Sequence, residues 1–185
     1  MENIIFDNPK KYLKTKFIKN ILFQNAYQAA VSTRNKEYPV FDIQDKTITT
    51  YQFKLRAEVL CNEYVERFKN NISSLDHIKE IETIREKLEN EISNILKYKR
   101  MRFGITQKMI NLYFKFLWSI GEIEIPPHCP IDGIVKSKLL TLKNDLILPN
   151  WTEMELEGYE IYLQIFKDLK IDNIAEWELK NWKYN

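Results

Sequence analysis

The chain has 185 residues, of which 44% are hydrophobic and 29% charged, so it carries enough apolar surface to fold and is not a disordered protein. The length fits one domain. Four glycines and six prolines are too few for a Gly-rich dinucleotide-binding fold or an all-β sandwich, which favours helices. The formal charge of +2 excludes a histone-like protein that coats polyanions, so any nucleic-acid site must be a local patch.

The amphipathic pattern predicts helices along most of the chain. In chain order they span 9–34, 51–69, 75–99, 105–120, 130–140, 152–170 and 174–182. The segment 35–50 suits a loop with one extended piece or a short hairpin. We therefore expect an all-α, compact multi-helix domain of six to eight helices. Its buried centre should be the segment 105–120, because that segment is apolar on nearly every side.

Several residues mark where these helices start and stop. Pro9 suits a first helical position, Thr50 can cap the second helix, and Ser73 or Ser74 can begin the third. Gly104 is expected to break the chain before the central helix, and Gly121 to end it. These boundaries divide the chain into two parts of one compact unit. Residues 1–70 form N-terminal helices and a loop, whose role is open, and residues 71–185 form a helical core that contains the candidate site.

Neither a targeting segment nor a membrane span is predicted. The N-terminal residues 1–9 are acidic and their apolar run is too short for a signal peptide. No stretch approaches the roughly 20 apolar residues that a membrane-spanning helix needs. We therefore expect a cytoplasmic protein without a membrane partner, and the sequence leaves the oligomeric state open.

The cysteines and histidines form no recognisable metal-site pattern. Cys61 and Cys129 lie far apart without Cys-x-x-Cys spacing, so we expect reduced cysteines that serve packing. His128 precedes Cys129, but His77 and Cys61 are the only other soft ligands and their spacing matches no zinc site. No metal and no cofactor is therefore expected.

The most informative residues lie on the central helix. Lys108 and Lys115 are two helical turns apart and Asn111 lies between them, so all three share one face of a helix otherwise built from apolar residues. In a structural interpretation the lysines extend along the edge of the core and Asn111 bonds to backbone groups. In a functional one, Lys108 is partly desolvated near a helix start, where its amine can act as a nucleophile.

A nucleophilic lysine needs a carboxylate that moves the proton or stabilises a developing cation. Asp132 is the candidate, since it stands alone in a Pro-rich turn before a helix. The structural alternative is an aspartate that interacts with the dipole of that helix from its first turn.

A basic run with interleaved aromatic residues precedes Gly104. Its cations are Lys97, Lys99, Arg100 and Arg102. Such a run can contact a nucleic-acid backbone, or it can be a solvated helix end. The aromatic residues available to line a pocket are Tyr113, Trp118, Trp151 and Trp177, all of which also suit a plain core.

These residues resemble a known family. The matching motifs are Gly104-x-x-x-Lys108, the pair Gln107-Lys108 followed by Lys115 with Asn111 nearby, and Pro130-Ile131-Asp132. They resemble the helix-hairpin-helix DNA glycosylase superfamily, most closely the archaeal-type 8-oxoguanine DNA glycosylases. A closing His-Leu-Asp-x-x-x-Trp pattern of that family has a loose counterpart in Glu176-Trp177-Glu178-x-x-x-Trp182. The resemblance covers about residues 100 to 182.

The resemblance implies an all-helical DNA-repair hydrolase that kinks DNA, flips a modified or damaged base into a pocket and cuts its glycosidic bond. Lys108 and Asp132 would be catalytic, Gln107, Asn111 and Lys115 would support them, and the basic run with Gly104 would hold the DNA. The alternative is a non-catalytic helical protein that binds a macromolecular partner, in which the same residues make contacts or pack. The sequence does not identify the base or decide whether the chain is an enzyme.

Overall fold

The structure is a computed structural model that describes residues 9–32, 40–41, 47–68 and 72–182. In that part of the chain, seven α-helices were found. They are α1 (Pro9–Tyr27), α2 (Thr47–Phe68), α3 (Ser74–Ile92), α4 (Phe103–Ser119), α5 (Gly133–Leu142), α6 (Leu156–Asp168) and α7 (Ile174–Asn181). The predicted all-α fold is confirmed. None of the described helices is long and apolar enough to cross a membrane.

The helix α4 lies at the centre, as its apolar composition predicts. Helices α1, α3 and α6 pack around it, and α2 packs against α1 and α3. Most α4 side chains are buried, and the buried set includes the polar residues Gln107, Lys108, Asn111 and Lys115. Because the centre of the fold carries polar groups, their partners decide how the surrounding segments are placed.

Side chains and backbone geometry set several helix ends. The Ser73 hydroxyl accepts a hydrogen bond from Asp76 N–H at the start of α3, and Asn173 accepts one from Glu176 N–H at the start of α7. Gly121, with φ of +75°, follows α4 in the left-handed conformation that glycine adopts without steric cost, which agrees with its predicted role as a helix stop.

Several predicted boundaries differ from the structure. Helix α1 passes into a π-helix at Gln28–Ser32, and its predicted end at residue 34 lies outside the described residues. Helix α2 begins at Thr47, so Thr50 lies within its first turn and does not cap it. The third helix ends at Ile92 and not at residue 99, because the chain turns there into two short 3₁₀ segments, Ser93–Ile95 and Lys97–Lys99.

Of the segment 35–50, for which an extended piece was predicted, Val40 and Phe41 are described, and residues 47–50 belong to α2. Residues 35–39 and 42–46 lie outside the described residues. Phe41 forms an isolated antiparallel β-bridge with Leu96. The Lys97 N–H donates to Val40 O at 2.8 Å. This contact ties the 3₁₀ segments that follow α3 to the N-terminal part of the chain.

Gly104 does not break the chain, because it lies in the first turn of α4. Its role is a close approach of two backbones. A Cβ atom at this position would lie 1.8 Å from Trp151 O, and the Gly104 N–H donates to Met154 O at 2.8 Å. Glycine is therefore required for packing of the segment 151–154 on α4.

The shorter C-terminal helices were predicted in the right order with shifted ends. Helix α5 starts at Gly133, three residues after the predicted Pro130, because Asp132 is its N-cap. Helices α6 and α7 start at Leu156 and Ile174 and end at Asp168 and Asn181.

We expect Gly104→Ala to destabilise the fold by about 1–3 kcal/mol, since the added methyl group collides with a backbone carbonyl that cannot rotate away. Gly133→Ala is the matched control: no heavy atom lies within 4 Å of its added Cβ, and the position is the first of a helix. Urea denaturation measures both. Equal stability of the two variants would contradict the close approach.

Candidate active site

Lys108 and Asp132 meet beside the N-terminal half of α4. Lys108 Nζ lies 3.4 Å from Asp132 Oδ2, and the two side chains are 11% and 20% exposed. They come from α4 and from the residue that begins α5, which are joined by a long connection. The fold therefore brings together the two residues for which the sequence predicted a catalytic role.

The two carboxylate oxygens of Asp132 have different partners. Oδ1 accepts hydrogen bonds from Ile134 N–H at 2.9 Å and Val135 N–H at 3.2 Å, while Oδ2 faces Lys108. One oxygen thus caps helix α5 and the other lies against the amine. The structural and functional interpretations of Asp132 are compatible, because the helix cap fixes the direction in which the second oxygen points.

An aromatic ring covers the Lys108 amine. The Nζ atom lies 4.1 Å from the centroid of the Trp151 ring, close enough for a cation–π interaction with an ammonium group. Trp151 belongs to the segment that approaches Gly104, so the glycine at the start of α4 also sets the position of this ring. Trp151 is the predicted pocket residue that contacts Lys108.

Gln107 holds the segment before Asp132 through its side-chain amide. Its Nε2 donates to Ile131 O at 2.7 Å, and its Oε1 accepts from Ile131 N–H at 3.1 Å. Nε2 also donates to Gly104 O at 3.0 Å. An amide that pairs with both backbone groups of one residue fixes that residue in position and orientation. Asp132 is the next residue along the chain.

Asn111 extends this contact by one helical turn. Its Nδ2 donates to Cys129 O at 3.1 Å and to the Tyr159 hydroxyl oxygen at 3.0 Å. Its Oδ1 accepts from His77 Nε2 at 2.7 Å. Gln107 and Asn111 thus bind the backbone on both sides of Pro130, and we call this arrangement the amide clamp. The polar helix face predicted for Lys108, Asn111 and Lys115 is present, and its Asn111 holds backbone in position.

Asn111 determines which ring nitrogen carries the proton in two buried histidines. Because Asn111 Oδ1 can only accept, His77 Nε2 carries the proton and His77 Nδ1 accepts from the Tyr64 hydroxyl. Desolvation lowers the pKa of His77 to about 4, although the hydrogen bond to Asn111 opposes this shift. His77 is therefore neutral near pH 7.

His128 is oriented in the same way. The Tyr159 hydroxyl accepts from Asn111, so its own proton is directed to His128 Nδ1 at 3.0 Å. His128 Nε2–H then donates to Ser74 Oγ at 2.7 Å. Burial, with a smaller contribution from nearby His77, holds the pKa of His128 well below its usual range. In this tautomer His128 cannot accept a proton from Ser74, so the pair is not an activated nucleophile.

Lys115, two turns beyond Lys108, forms a second buried ion pair. Its Nζ lies 2.7 Å from Glu178 Oε2 and 2.9 Å from Oε1, and both side chains are less than one-tenth exposed. The Trp182 ring lies on the same amine, with its centroid 4.7 Å away. Desolvation raises the pKa of Glu178, and the hydrogen bond from Lys115 opposes that rise.

Glu178 and Trp182 were not among the site residues predicted from the sequence. The available signal was the pattern Glu176-Trp177-Glu178-x-x-x-Trp182, which entered only through the family resemblance. In helix α7, Glu178 lies opposite Lys115 while its neighbour Trp177 packs on Phe166, with ring centroids 5.2 Å apart.

The other predicted pocket residues lie elsewhere. Tyr113 is five positions after Lys108, which places it on a different face of α4, and its hydroxyl donates to Asn62 in α2. Its ring packs edge-on against Phe23. Trp118 is half-buried near the end of α4. Tyr113 is therefore a core residue in this structure and does not line a pocket around Lys108.

The predicted basic run is partly neutralised by acidic neighbours. Arg100 is paired with Glu155 at 3.2 Å, and half-buried Arg102 lies in the field of Glu153 and Glu155. Lys99 is exposed and Lys97 is half-buried. The run lies next to the residues that begin α6, as its contact with Glu155 shows.

No group of three or more His, Cys, Asp or Glu side chains that could hold a metal ion occurs in the part of the chain that the structure describes. Comparison of the chain with family models, curated proteins and solved structures gave no match.

The buried histidines should make the fold sensitive to acid. Both are neutral when folded and bind a proton when unfolded, where histidine titrates near a pKa of about 6.5. The contribution of these two histidines to the free energy of unfolding should be constant above this pH and should fall as the pH drops towards 4. Near pH 5 unfolding should take up roughly two protons through these histidines. Each proton makes the free energy of unfolding fall by about 1.4 kcal/mol for each unit that the pH decreases.

Urea denaturation between pH 4.5 and 7.5 measures this dependence. His77→Gln is the informative variant, because a glutamine amide can accept from Tyr64 and donate to Asn111 but does not titrate. We expect it to reduce the slope by about one proton. An unchanged slope would show that His77 is not the group responsible.

Proposed function

We propose that this chain is a DNA-base excision enzyme, a DNA glycosylase that acts on a modified or damaged base. The observation that carries the proposal is the distance of 3.4 Å between Lys108 Nζ and Asp132 Oδ2, two residues that the family resemblance assigns to catalysis. A nucleophile and a carboxylate within reach of one proton are the minimum that this chemistry requires.

Lys108 is the nucleophile in this mechanism. The Lys108 ammonium first loses one proton to water. The lone pair of the neutral amine then forms a bond to C1′ of the deoxyribose, the glycosidic bond breaks, and the bonding electron pair leaves with the base. The attached nitrogen loses a proton, which Asp132 can receive. The sugar ring then opens, O4′ takes up a proton, and a protonated imine joins Nζ to C1′.

Asp132 acts in the transition state. Positive charge develops on the sugar as the glycosidic bond breaks, and a fixed carboxylate stabilises that charge more than it stabilises the uncharged ground state. The helix cap supports this role, because Oδ1 is held by two backbone N–H groups and Oδ2 cannot rotate away without losing them. Gln107 and Asn111 are positioning residues for the same carboxylate.

The second ion pair suits recognition of the flipped base. Glu178 Oε2 is buried and lies 2.7 Å from Lys115 Nζ, yet no described group makes a well-aligned hydrogen bond to it. A buried carboxylate oxygen of this kind can accept an N–H of a base edge, and Trp182 offers a surface for stacking. We place the base on the side of α4 that carries both lysines, between Trp151 and Trp182.

The alternative remains a non-catalytic helical protein that binds a macromolecular partner. It is favoured by the fact that Lys108 and Lys115 each already face a carboxylate of their own chain, as purely structural ion pairs would. The two proposals differ in whether Lys108 forms a covalent bond with DNA, which can be measured directly.

We expect borohydride to trap the protein on an oligonucleotide with an abasic site, because reduction of the imine makes the bond between Nζ and C1′ permanent. Peptide mapping should place the link on Lys108, and Lys108→Gln should abolish it with the circular dichroism unchanged. Lys115→Gln is the matched control, since an abasic substrate has no base to recognise, and it should still be trapped. No trapping and no base release across oxidised, deaminated, alkylated and abasic substrates would favour the non-catalytic alternative.

Asp132→Asn should separate the two functions of this side chain. Asparagine keeps an oxygen that caps α5 but removes the charge that faces Lys108, so stability should change little. We expect base release to slow by about 100-fold or more, with DNA affinity nearly constant, in single-turnover measurements. A loss of affinity equal to the loss of rate would argue against a transition-state role.

DNA binding should depend on salt through the basic run. Replacing Lys97 and Lys99 by alanine should remove up to two phosphate contacts and reduce the slope of log affinity against log salt by about 0.9 for each contact. Lys143→Ala with Lys170→Ala is the control, because both lysines are exposed elsewhere on the surface. The same slope in both double variants would place the DNA contacts outside the run.

A further inference from the structure

Tyr98 has an unusual position for a tyrosine, because 86% of its surface is exposed. Its backbone has φ of 57° and ψ of 20°, and the next residue, Lys99, has φ of 56°. Two consecutive non-glycine residues in the left-handed region cost on the order of 1 kcal/mol each or more. The fold bears this cost for a side chain that contributes almost nothing to the core.

The turn that carries Tyr98 is anchored on both sides. Before it, Leu96 forms the β-bridge with Phe41, and Lys97 N–H donates to Val40 O. After it, Lys99 N–H donates to Leu96 O at 2.9 Å and Arg100 N–H to Lys97 O at 3.3 Å. Tyr98 therefore projects from a fixed tip, which distinguishes it from an aromatic residue on a loose loop.

One cation contacts this ring, and two more follow it in the chain. Lys97 Nζ lies 5.2 Å from the Tyr98 ring centroid, and Lys99 and Arg100 are exposed on the same turn. An exposed aromatic ring among lysines and arginines matches a nucleic acid, which presents flat bases next to phosphates. An apolar protein partner would instead be matched by several adjacent apolar side chains.

The tip is linked to the proposed active site through one ion pair and a short segment of chain. Arg100 is paired with Glu155, four residues after Trp151, and Trp151 covers the Lys108 amine. The tip shortly precedes α4 in the chain, and the segment of Trp151 packs on Gly104 in the first turn of α4. A DNA strand that reaches Lys108 can contact the tip with a neighbouring part of its backbone.

We propose that Tyr98 is a stacking wedge. Its ring would enter the duplex at a flipped or missing base and stack on the base that is exposed there. The proposal rests on the proposed function, since it takes DNA as the ligand. Wedge side chains compensate for the stacking that is lost when a base leaves the helix, and so they favour bent or interrupted DNA over intact duplex. Tyr98 would act in recognition, and its hydroxyl would not be needed.

The experiment compares affinity for two duplexes, one intact and one with a tetrahydrofuran abasic analogue opposite 2-aminopurine. We expect Tyr98→Ala to lose roughly 5- to 150-fold in affinity for the interrupted duplex, the range typical of one stacked base, and much less for the intact one. Tyr98→Phe should behave as the unchanged protein. Tyr51→Ala, which removes a tyrosine that is 56% exposed on α2, is the matched control.

The fluorescence of 2-aminopurine reports stacking separately from affinity. The unchanged protein and Tyr98→Phe should alter this signal on binding, and Tyr98→Ala should not. If Tyr98→Ala keeps both the affinity ratio and the fluorescence change, the wedge is overturned, and borohydride trapping through Lys108 still decides the proposed function by itself. If the intact protein binds neither duplex, both proposals fail.

Discussion

The structure depends on two amides buried in the centre of the fold. Gln107 and Asn111 lie on the helix around which the others pack, where a polar group without a partner costs about 1–3 kcal/mol. Both are satisfied by the backbone of Ile131 and Cys129, so the Pro-rich connection is bound to α4 rather than free to move. Asn111 also fixes the proton positions of His77 and, through Tyr159, of His128. One set of hydrogen bonds therefore joins α3, α4, α6 and the segment that ends in Asp132.

The two lysine–carboxylate pairs are a consequence of this placement. Ion pairs with little exposure seldom repay the cost of desolvation through stability alone, so their presence on one face of the central helix is poorly explained by packing. The pairs also differ in character. Lys108 and Asp132 are 3.4 Å apart and retain some exposure, whereas Lys115 and Glu178 are in closer contact and almost fully buried. This difference agrees with the roles proposed above, in which Lys108 and Asp132 perform the chemistry and Lys115 and Glu178 recognise the base.

Helix existence and order could be predicted because they follow from local periodicity, and the buried face of α4 could be predicted because nearly all of its residues are apolar. Some boundaries failed where a distant contact overrides the local signal. The glycine at position 104 predicts a break before the central helix, but it is needed because the carbonyl of Trp151 leaves no room for a side chain there. The charged pattern after Ile92 predicts a continued helix. In the structure Leu96 instead forms a β-bridge with Phe41, and the chain around it adopts 3₁₀ turns. Trp151 and Phe41 both lie far from these positions in the sequence, so the residues next to Gly104 and Leu96 do not predict the contacts.

The sequence by itself determined the fold class, the central helix, and the polar face made by Lys108, Asn111 and Lys115, because helical spacing alone places these side chains together. Only the tertiary structure decided what that face meets. It placed Asp132 opposite Lys108, Glu178 opposite Lys115 and Trp151 over the first amine, and it placed Tyr113 on the side of α1 and α2. The physical reason is that each of these contacts joins residues far apart in the chain. Their distance depends on how several helices pack, which no local pattern of residues encodes.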